Sequence, residues 1–297
     1  MNSKIELAKP RDFGEIINDT FTFGRQNFKP LLKYFFIFCG FFLLATAATD
    51  IVNQLNVVKS LNNFDPNSFD NQSRNPFSVF TPYYFLNLFF LLLEYLSITI
   101  TVLCFMALYR QKNNRVPDTE EMWGYFKFYF FRIIGSSIVI TILLILGFVF
   151  CIIPGIYLYP VMALVFPIII VENASFGYAF NQSFKLIKDN WWATFGVLLV
   201  VAIILSVASG ILVLPSALFT VGSFFFHVTR GTSVSITALV ITTILKEISH
   251  VFQILMVVAI GLCYFNLTES KEGTGLMERI NQFGAAETDP NTTTEEY

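Results

Sequence analysis

Long apolar runs separated by short polar stretches dominate the chain. A bilayer core about 30 Å thick needs about 20 mostly apolar residues in a helix. Six segments approach that length and composition, and their ranges are 34–51, 83–109, 133–153, 156–171, 192–214 and 247–267. The pattern therefore predicts an all-α polytopic membrane protein, with a six-span membrane domain at 34–267.

Several segments outside these spans carry separate expectations. Residues 1–33 read as an amphipathic segment, 52–82 as an outer loop rich in Asn, Ser and Asp, and 268–297 as a tail that is disordered from about 285. Leu276, Met277, Ile280 and Phe283 have helical spacing within that tail. The apolar run 217–228 is interpreted as interfacial or re-entrant. The stretch 233–245 is either part of a long sixth helix or a separate outer-leaflet segment.

The distribution of positive charge predicts the orientation of the spans. Fifteen of the 19 Lys and Arg residues fall in segments on one side of the six spans, and four fall on the other. Lys and Arg accumulate on the cytoplasmic side of membrane proteins. We therefore expect both termini in the cytoplasm. About thirty mixed polar residues precede the first apolar run without a cleavage site after it, so that span is expected to remain as an anchor.

Composition narrows the class of function. Only 13% of the residues are charged, against about 25% in soluble domains, so we exclude an ordinary soluble globule, a disordered chain and a nucleic-acid binder. Lipid is the expected main partner, and the inner membrane of a bacterium is the expected location. Cys39, Cys104, Cys151 and Cys263 lie in apolar runs, and no Cys/His/Asp cluster adjoins His227 or His250 along the chain. We therefore expect no cofactor and no zinc or iron site.

Two polar-flanked segments resemble each other at a constant offset of 163 residues. The stretch DFGEIINDTFTFGRQNF begins at Asp12, and SFGYAFNQSFKLIKDNW begins at Ser175. They share five identities in 17 positions, and each carries an apolar stripe with helical spacing. We therefore expect two amphipathic helices on the cytoplasmic membrane face, each leading into a pair of spans.

The second of these helices, at about 174–191, supplies a candidate docking face for a protein partner. Its stripe consists of Phe176, Phe180, Phe184, Ile187 and Trp191. A weaker third copy is predicted at 118–131, where Asp118 and Glu121 form a capping pattern. The plan is then three units of one surface helix and two spans. The alternative interpretation is that any helix leading into a membrane span has this pattern.

The segment from 153 to 192 resembles a broad family of poorly characterised bacterial integral membrane proteins. It reads IPGIYLYPVMALVFPIIIVENASFGYAFNQSFKLIKDNWW, and the later stretch AIGLCYFNLTESKEGTGL resembles the ending of the same family. The family includes the membrane domain fused to some glycerophosphodiester phosphodiesterases. Where such proteins carry the enzyme, it is a separate barrel of about 250 residues. Only about thirty residues follow the last span here, so the activity is not transferred.

Glu94 is the sharpest candidate for a functional residue. It lies in LLLEYLS within the second predicted span, and no charged residue lies within ten positions on either side. A carboxylate at this depth costs roughly 2.5–3.5 kcal/mol on insertion scales, so it should face the bundle interior and be paired or protonated. It is either an ion or proton site, or a neutral acid that hydrogen-bonds a neighbouring helix.

Three further features have competing interpretations. Glu172 either caps a helix N-terminus or pairs with Lys185 or Lys188. Pro154 and Gly155 form either a tight outer turn or a broken helix lining a cavity. The cluster Lys246, Glu247 and His250 is expected to be an interfacial polar group rather than a catalytic dyad.

The sequence contains no phosphate loop, HExxH or GxSxG motif, so we do not expect an enzyme. The leading hypothesis is a membrane scaffold or accessory protein that organises partners or lipid. The alternative is a small-solute or ion transporter or channel with Glu94 as its intramembrane site. A third hypothesis is a lipid-handling protein with a lateral groove between spans.

Overall fold

The structure is a computed structural model that describes residues 4–62, 81–150, 152–230 and 236–273. Every regular element in these ranges is a helix. In chain order they are α1 (Phe13–Gln26), α2 (Phe28–Asn62), α3 (Pro82–Gln111), α4 (Thr119–Phe150), α5 (Ile152–Ala163), α6 (Val165–Val171), α7 (Phe176–Ile187), α8 (Trp191–Arg230), α9 (Ile236–Ser249), a 3₁₀ turn (His250–Phe252) and α10 (Gln253–Glu272). The predicted helix at 276–283 and the disordered tail lie outside the described residues.

Six helical segments in the described ranges are long and apolar enough to cross a membrane, which confirms the predicted all-α, six-span class. They are Phe28–Asn56, Pro82–Gln111, Thr119–Phe150, Ile152–Val171, Trp191–Pro215 and Leu239–Glu272. The fourth span combines α5 and α6, and the sixth combines the end of α9, the 3₁₀ turn and α10. Each observed segment overlaps the predicted one.

Three predicted connections are helical instead. The run 217–228 is neither interfacial nor re-entrant as a separate piece, because α8 continues without a break to Arg230. The predicted outer loop begins late, because α2 extends to Asn62. Residues 236–245 form part of the long helical segment that leads into the sixth span, which was one of the two alternatives for this stretch. The runs 217–228 and 236–245 are strongly apolar, which allowed these two helices to continue where a break was expected.

The spans form two layers, in which the second span of each pair lies inside and the first lies outside. The buried share of the most apolar window is 61% for α3, 50% for the fourth span and 56% for the sixth. It is 33%, 22% and 22% for the first, third and fifth spans. The three inner spans contact one another, so they form the core that the outer spans surround.

The two copies at offset 163 share the same local structure. Asp12 caps α1 by accepting a hydrogen bond from the Glu15 N–H, and Ser175, its equivalent, caps α7 by accepting from the Tyr178 N–H. The following spans also begin at equivalent positions, Phe28 and Trp191. Both the start of the amphipathic helix and the start of the next span therefore repeat.

The buried faces of α1 and α7 also coincide at this offset. The four buried positions of each helix pair as Ile16 with Ala179, Thr20 with Ser183, Phe23 with Leu186 and Gly24 with Ile187. Both hydroxyls of the Thr20/Ser183 pair donate to a carbonyl one turn back, at 2.8 Å. This match in burial supports the interpretation that the two segments are copies of one repeat. It argues against the alternative that any amphipathic helix leading into a span would look the same.

The third predicted surface helix at 118–131 does not exist as a separate element. Residues 119–131 instead form the first turns of α4, which runs unbroken into the third span. In the first copy Asn27 ends α1, and both its backbone N–H and its side-chain Nδ2 donate to the Phe23 carbonyl. The equivalent position in α4 holds Ile133, which has no side-chain group for such a cap, so the helix continues.

The amphipathic helices link the three units in a ring. The first turns of α4 pack on α3, where the Tyr125 hydroxyl donates to Gln111 Oε1 at 3.1 Å. Helix α7 packs on α6. Helix α1 packs on α10, where the Arg11 N–H donates to Asn266 Oδ1 at 2.6 Å and Gly24 adjoins Leu255. Each amphipathic helix thus covers the inner span of the preceding unit, and the first unit closes the ring on the third.

Pro154 and Gly155 lie inside the first turn of α5, so the predicted tight turn at these residues is wrong, as is a broken helix there. Proline is tolerated in a first helical turn because its missing N–H has no partner there in any case. Gly155 allows α4 to approach closely, since a Cβ at this position would lie 2.5 Å from the Phe148 ring. The pair therefore serves helix packing in the α4–α5 hairpin.

We predict that Gly155→Ala lowers the free energy of unfolding by about 1 kcal/mol, because the added methyl group displaces the Phe148 ring. Thermal unfolding in detergent measures the effect. In a chain that already carries Phe148→Ala, adding Gly155→Ala should lower the free energy of unfolding by much less. Equal destabilisation in both backgrounds would contradict the assigned contact.

Candidate functional site

Glu94 lies in the interior of the bundle, as its charge requires. Its residue surface is 1% exposed, and it is placed by α3, the most buried of the spans. At 1.5 Å per residue, the 16 residues from Glu94 to Arg110 place the carboxylate about 24 Å from the charged end of α3. Twelve residues without a charge separate it from the other end of the helix.

His250 is the direct partner of Glu94. The imidazole Nδ1 lies 2.5 Å from Glu94 Oε1 and 3.5 Å from Glu247 Oε2. The donor atoms of all three side chains lie within 4.8 Å of one another. We call Glu94, Glu247 and His250 the acid–histidine cluster.

A local break in helix geometry places two members of the cluster. Glu247 lies in the last turn of α9, which ends at Ser249, and His250 opens the 3₁₀ turn that joins α9 to α10. A stretch of 3₁₀ helix inside a longer helix often marks a functional hinge. Residues three apart share a helix face, so the turn directs both side chains toward α3.

The acid–histidine cluster has unused acceptor atoms. Glu94 Oε2 and both carboxylate oxygens of Glu247 are buried without a hydrogen-bond partner, and so are Asn53 Oδ1 and Gln253 Oε1. Buried polar atoms are almost always hydrogen-bonded, and a charged group without a partner is costly. These lone pairs are therefore available to a ligand.

A second polar group extends the cluster to α2. The Lys246 ammonium lies 3.2 Å from Asp50 Oδ2, and the Gln54 amide donates to Asp50 Oδ2 at 2.9 Å and to Thr243 Oγ1 at 3.2 Å. Asp50 is 6% exposed. The acid–histidine cluster and this second, partly exposed polar group from α2, α3 and α9 thus lie at the junction of the first and third units.

The sequence pattern located only part of this site. Glu94 was identified because a charge inside an apolar span is costly, whereas Glu247 and His250 were assigned to an interfacial polar group. No Cys/His/Asp cluster adjoins His250 along the chain, but the fold brings Glu94, which lies 156 residues away in sequence, against its imidazole. Asp50 and Gln54 were missed, although their i, i+4 spacing in an apolar helix was a usable signal.

Glu172 adopts neither predicted role. It is the C-cap residue of α6 rather than an N-cap, which is Ser175. Its Oε1 accepts a hydrogen bond from the buried Tyr264 hydroxyl at 2.8 Å, in place of an ion pair with Lys185 or Lys188. Partial removal from water raises the pKa of Glu172 above its usual value, while the Tyr264 hydrogen bond lowers it by less.

Glu172→Gln should therefore flatten the pH dependence of stability. A carboxyl whose folded-state pKa is raised stabilises the fold when protonated, and that contribution is lost as the pH rises from the unfolded pKa through the folded one. The variant keeps an acceptor for Tyr264 and removes this loss, so its Tm should exceed the wild-type value at neutral pH. Equal Tm values for the two proteins at pH 4 and pH 7 would contradict the shift.

The predicted docking face packs on the protein's own core. Ile187 is buried, and Phe176, Phe180, Phe184 and Trp191 are half-buried against the core. The Trp191 indole donates to the Tyr157 carbonyl at 3.1 Å and stacks on its ring. Most of this apolar surface is therefore used within the molecule.

Two cavities lie among the helices. One, of about 140 Å³, lies between α3, α4, the fourth span and α10, and is apolar apart from hydroxyl groups such as those of Thr99 and Ser137. The other, of about 430 Å³, lies between α1, α2 and the sixth span. Its lining includes Val251, the residue that follows His250 in the chain. No member of the acid–histidine cluster lines either cavity, and the side chains of Glu94, Glu247 and His250 are only 1%, 10% and 12% exposed, so the cluster is closed in this conformation.

Comparison of the chain with protein-family models, curated proteins and solved structures gives no match.

Proposed function

We propose that the protein moves a cation across the membrane and that the acid–histidine cluster is its binding site. The observation that carries the proposal is a set of carboxylate and imidazole groups held inside six apolar spans with unused acceptor atoms. Ionisable residues inside membrane spans are costly and usually mark an ion or substrate path. This was the alternative hypothesis at the level of sequence.

The charge of the site favours a cation. Asp50, Glu94 and Glu247 supply three carboxylates and Lys246 supplies one ammonium. An imidazole that binds a cation must be neutral, and these groups then carry two net negative charges, with Glu94 and Glu247 inside the buried cluster. Such a charge is stable in a low-dielectric interior only when it is compensated, and a bound cation provides that compensation.

The scaffold hypothesis has weaker support from the structure. It assigns the docking of partners or lipid to the amphipathic helices, and the described apolar faces of α1 and α7 are largely occupied by contacts with inner spans. It also gives no role to a buried cluster of acids that costs folding energy. The occupied helix faces and the buried acids both favour translocation over a scaffold.

The closed site requires a movement before a cation can enter. The 3₁₀ turn at His250–Phe252 is a natural hinge, and the cavity lined by Val251 and Phe252 lies directly beside it. We propose that opening at this turn connects the cluster to one side of the membrane. Such a movement alternates access without dismantling the inner spans.

We further propose that both termini lie in the cytoplasm and that the chain resides in a bacterial inner membrane. The excess of Lys and Arg in the terminal and even-numbered connecting segments supports this orientation. Labelling of Lys4→Cys and Arg115→Cys from outside intact cells tests it, each in a chain whose four native cysteines are replaced by alanine. Both positions should be protected until the membrane is permeabilised, and labelling of either in intact cells would contradict the orientation.

The translocation proposal is tested by cation flux into liposomes that contain the purified full chain. We expect wild-type protein to carry a saturable flux of divalent or monovalent cation, and Glu94→Gln to reduce it at least about 100-fold by removing a charge that contacts the ion. Gln keeps the shape and a hydrogen-bond acceptor toward His250, so folding should be retained. Absence of wild-type flux for every cation tested would overturn the proposal.

The matched control is Glu172→Gln, which makes the same chemical change at an acid outside the cluster. Its flux should stay within about twofold of wild type, since Glu172 contacts Tyr264 rather than the buried cluster. Equal losses in both variants would assign the effect to charge or folding in general and would contradict a specific site.

A further inference from the structure

We propose that the acid–histidine cluster binds a divalent transition-metal ion of the zinc class, held directly by Glu94, Glu247 and His250. This inference rests on the proposed function, because it names the chemical class of the cation. It follows from the ligand types, the unused acceptor atoms, the charge and the spacing of the three side chains.

The ligand set selects among cations. An imidazole nitrogen together with carboxylate oxygens suits zinc and its first-row neighbours, whereas calcium and magnesium prefer oxygen ligands alone. Zinc sites that stay open to exchange, as catalytic zinc sites do, use three protein ligands and leave the fourth position for water or substrate. The cluster offers that number, two oxygens and one nitrogen.

The unused acceptors show that the present contacts do not complete the site. His250 Nδ1 satisfies one oxygen of Glu94, but Glu94 Oε2 and both oxygens of Glu247 have no hydrogen-bond partner. The Glu94 residue is 1% exposed and the Glu247 side chain 10% exposed. Water therefore has little access to satisfy these oxygens, and an ion between the three groups would engage them.

The geometry fits with small side-chain adjustments. Ligand atoms about 2.0–2.2 Å from a shared zinc ion must lie within about 4.4 Å of each other. The Nδ1 to Glu247 Oε2 distance of 3.5 Å already falls in that range, and the Glu94 contact at 2.5 Å needs only to open. Glu247 and His250 come from one turn, and Glu94 comes from the facing helix, so the ligands approach from two sides.

The charge balance agrees with a divalent ion. With neutral His250, the two net negative charges left by Asp50, Glu94, Glu247 and Lys246 are cancelled by one divalent cation. The Asp50–Lys246 pair lies beside the cluster and is neutral by itself, so the metal faces the two glutamates. A monovalent ion would leave one buried charge uncompensated.

Metal titration of the purified full chain tests the inference. Isothermal titration with Zn²⁺, and visible absorption with Co²⁺ as a spectroscopic probe, should show one ion per chain. Glu247→Gln and His250→Gln should each weaken binding by at least about 10-fold. Loss of a residue that merely orients a metal ligand already costs about 10-fold or more in affinity, and loss of a ligand itself should cost at least as much. Glu172→Gln is the matched control and should bind as wild type does.

The outcomes separate this inference from the proposed function. Cation flux by the wild type without stoichiometric Zn²⁺ or Co²⁺ binding would overturn the metal assignment and leave translocation standing. Metal binding that is lost in the cluster variants, without flux for any cation, would support the metal site and overturn translocation. Binding that survives both Glu247→Gln and His250→Gln would place the metal elsewhere and overturn the inference.

Discussion

His250→Leu is expected to lower the free energy of unfolding by about 3 kcal/mol. The substitution leaves the Glu94 and Glu247 carboxylates buried without their imidazole partner. Removal of one member of a buried charged group is strongly destabilising because the remaining charge is uncompensated. Leucine fills a similar volume, so a cavity contributes little to the loss.

Replacement of the whole cluster should reverse that effect. The triple variant Glu94→Leu, Glu247→Leu and His250→Leu removes every charge of the acid–histidine cluster and provides apolar surface that suits the surrounding spans. Exchange of a buried ion group for well-packed hydrophobic residues is often neutral or stabilising by about 1–4 kcal/mol. We therefore expect the triple variant to be at least as stable as the wild type.

Thermal unfolding in the same detergent, in metal-free buffer, measures both variants. The single variant should have a Tm below that of wild type, and the triple variant a Tm equal to it or above. A single variant as stable as wild type would show that His250 does not compensate the two acids. A triple variant less stable than the single one would show that the cluster contributes to folding.

The second large effect is expected at Arg11, whose side chain is fully buried. Its guanidinium donates to the carbonyls of Leu7 and Lys9 and to the carboxylate of Asp19 at 2.8 Å, and also to the Glu6 carbonyl. A single side chain thus ties the segment before α1 to the first turns of α1. Arg11→Ala removes these bonds and leaves their buried or partly buried acceptors without this donor.

We expect Arg11→Ala to cost about 2–4 kcal/mol, since hydrogen bonds to charged groups are worth about 1.5–3 kcal/mol each and their acceptors are only partly rehydrated. The N-terminal segment should then be cleaved faster by limited proteolysis. Arg25→Ala is the matched control, because the Arg25 side chain is exposed at the other end of α1. Equal cleavage rates for the two variants would contradict the anchoring role of Arg11.

The fold was largely predictable from the sequence because its signals are local. Apolar runs located all six spans, and the repeated stretches that begin at Asp12 and Ser175 located α1 and α7. The errors came from breaks that local patterns do not decide. The helix α8 continues through Pro215, and α4 continues at Ile133, where the other copies carry an asparagine.

The site was predictable only in part because its chemistry is assembled from distant segments. The position of Glu94 in an apolar span implied a buried partner, but no local pattern identifies a residue 156 positions away. The packing of α1 on the last inner span and of α2 on α9 brings the first unit against the third. That ring closure creates the acid–histidine cluster, and it depends on tertiary contacts alone.

Cation flux by the triple leucine variant, compared with the wild type at equal protein density in liposomes, tests the central claim most directly. The variant should remain folded while it lacks every charged group of the cluster. We predict saturable flux for the wild type and, for the triple variant, the background flux of liposomes without protein. Equal flux for the folded variant and the wild type would show that the cations do not pass through the acid–histidine cluster.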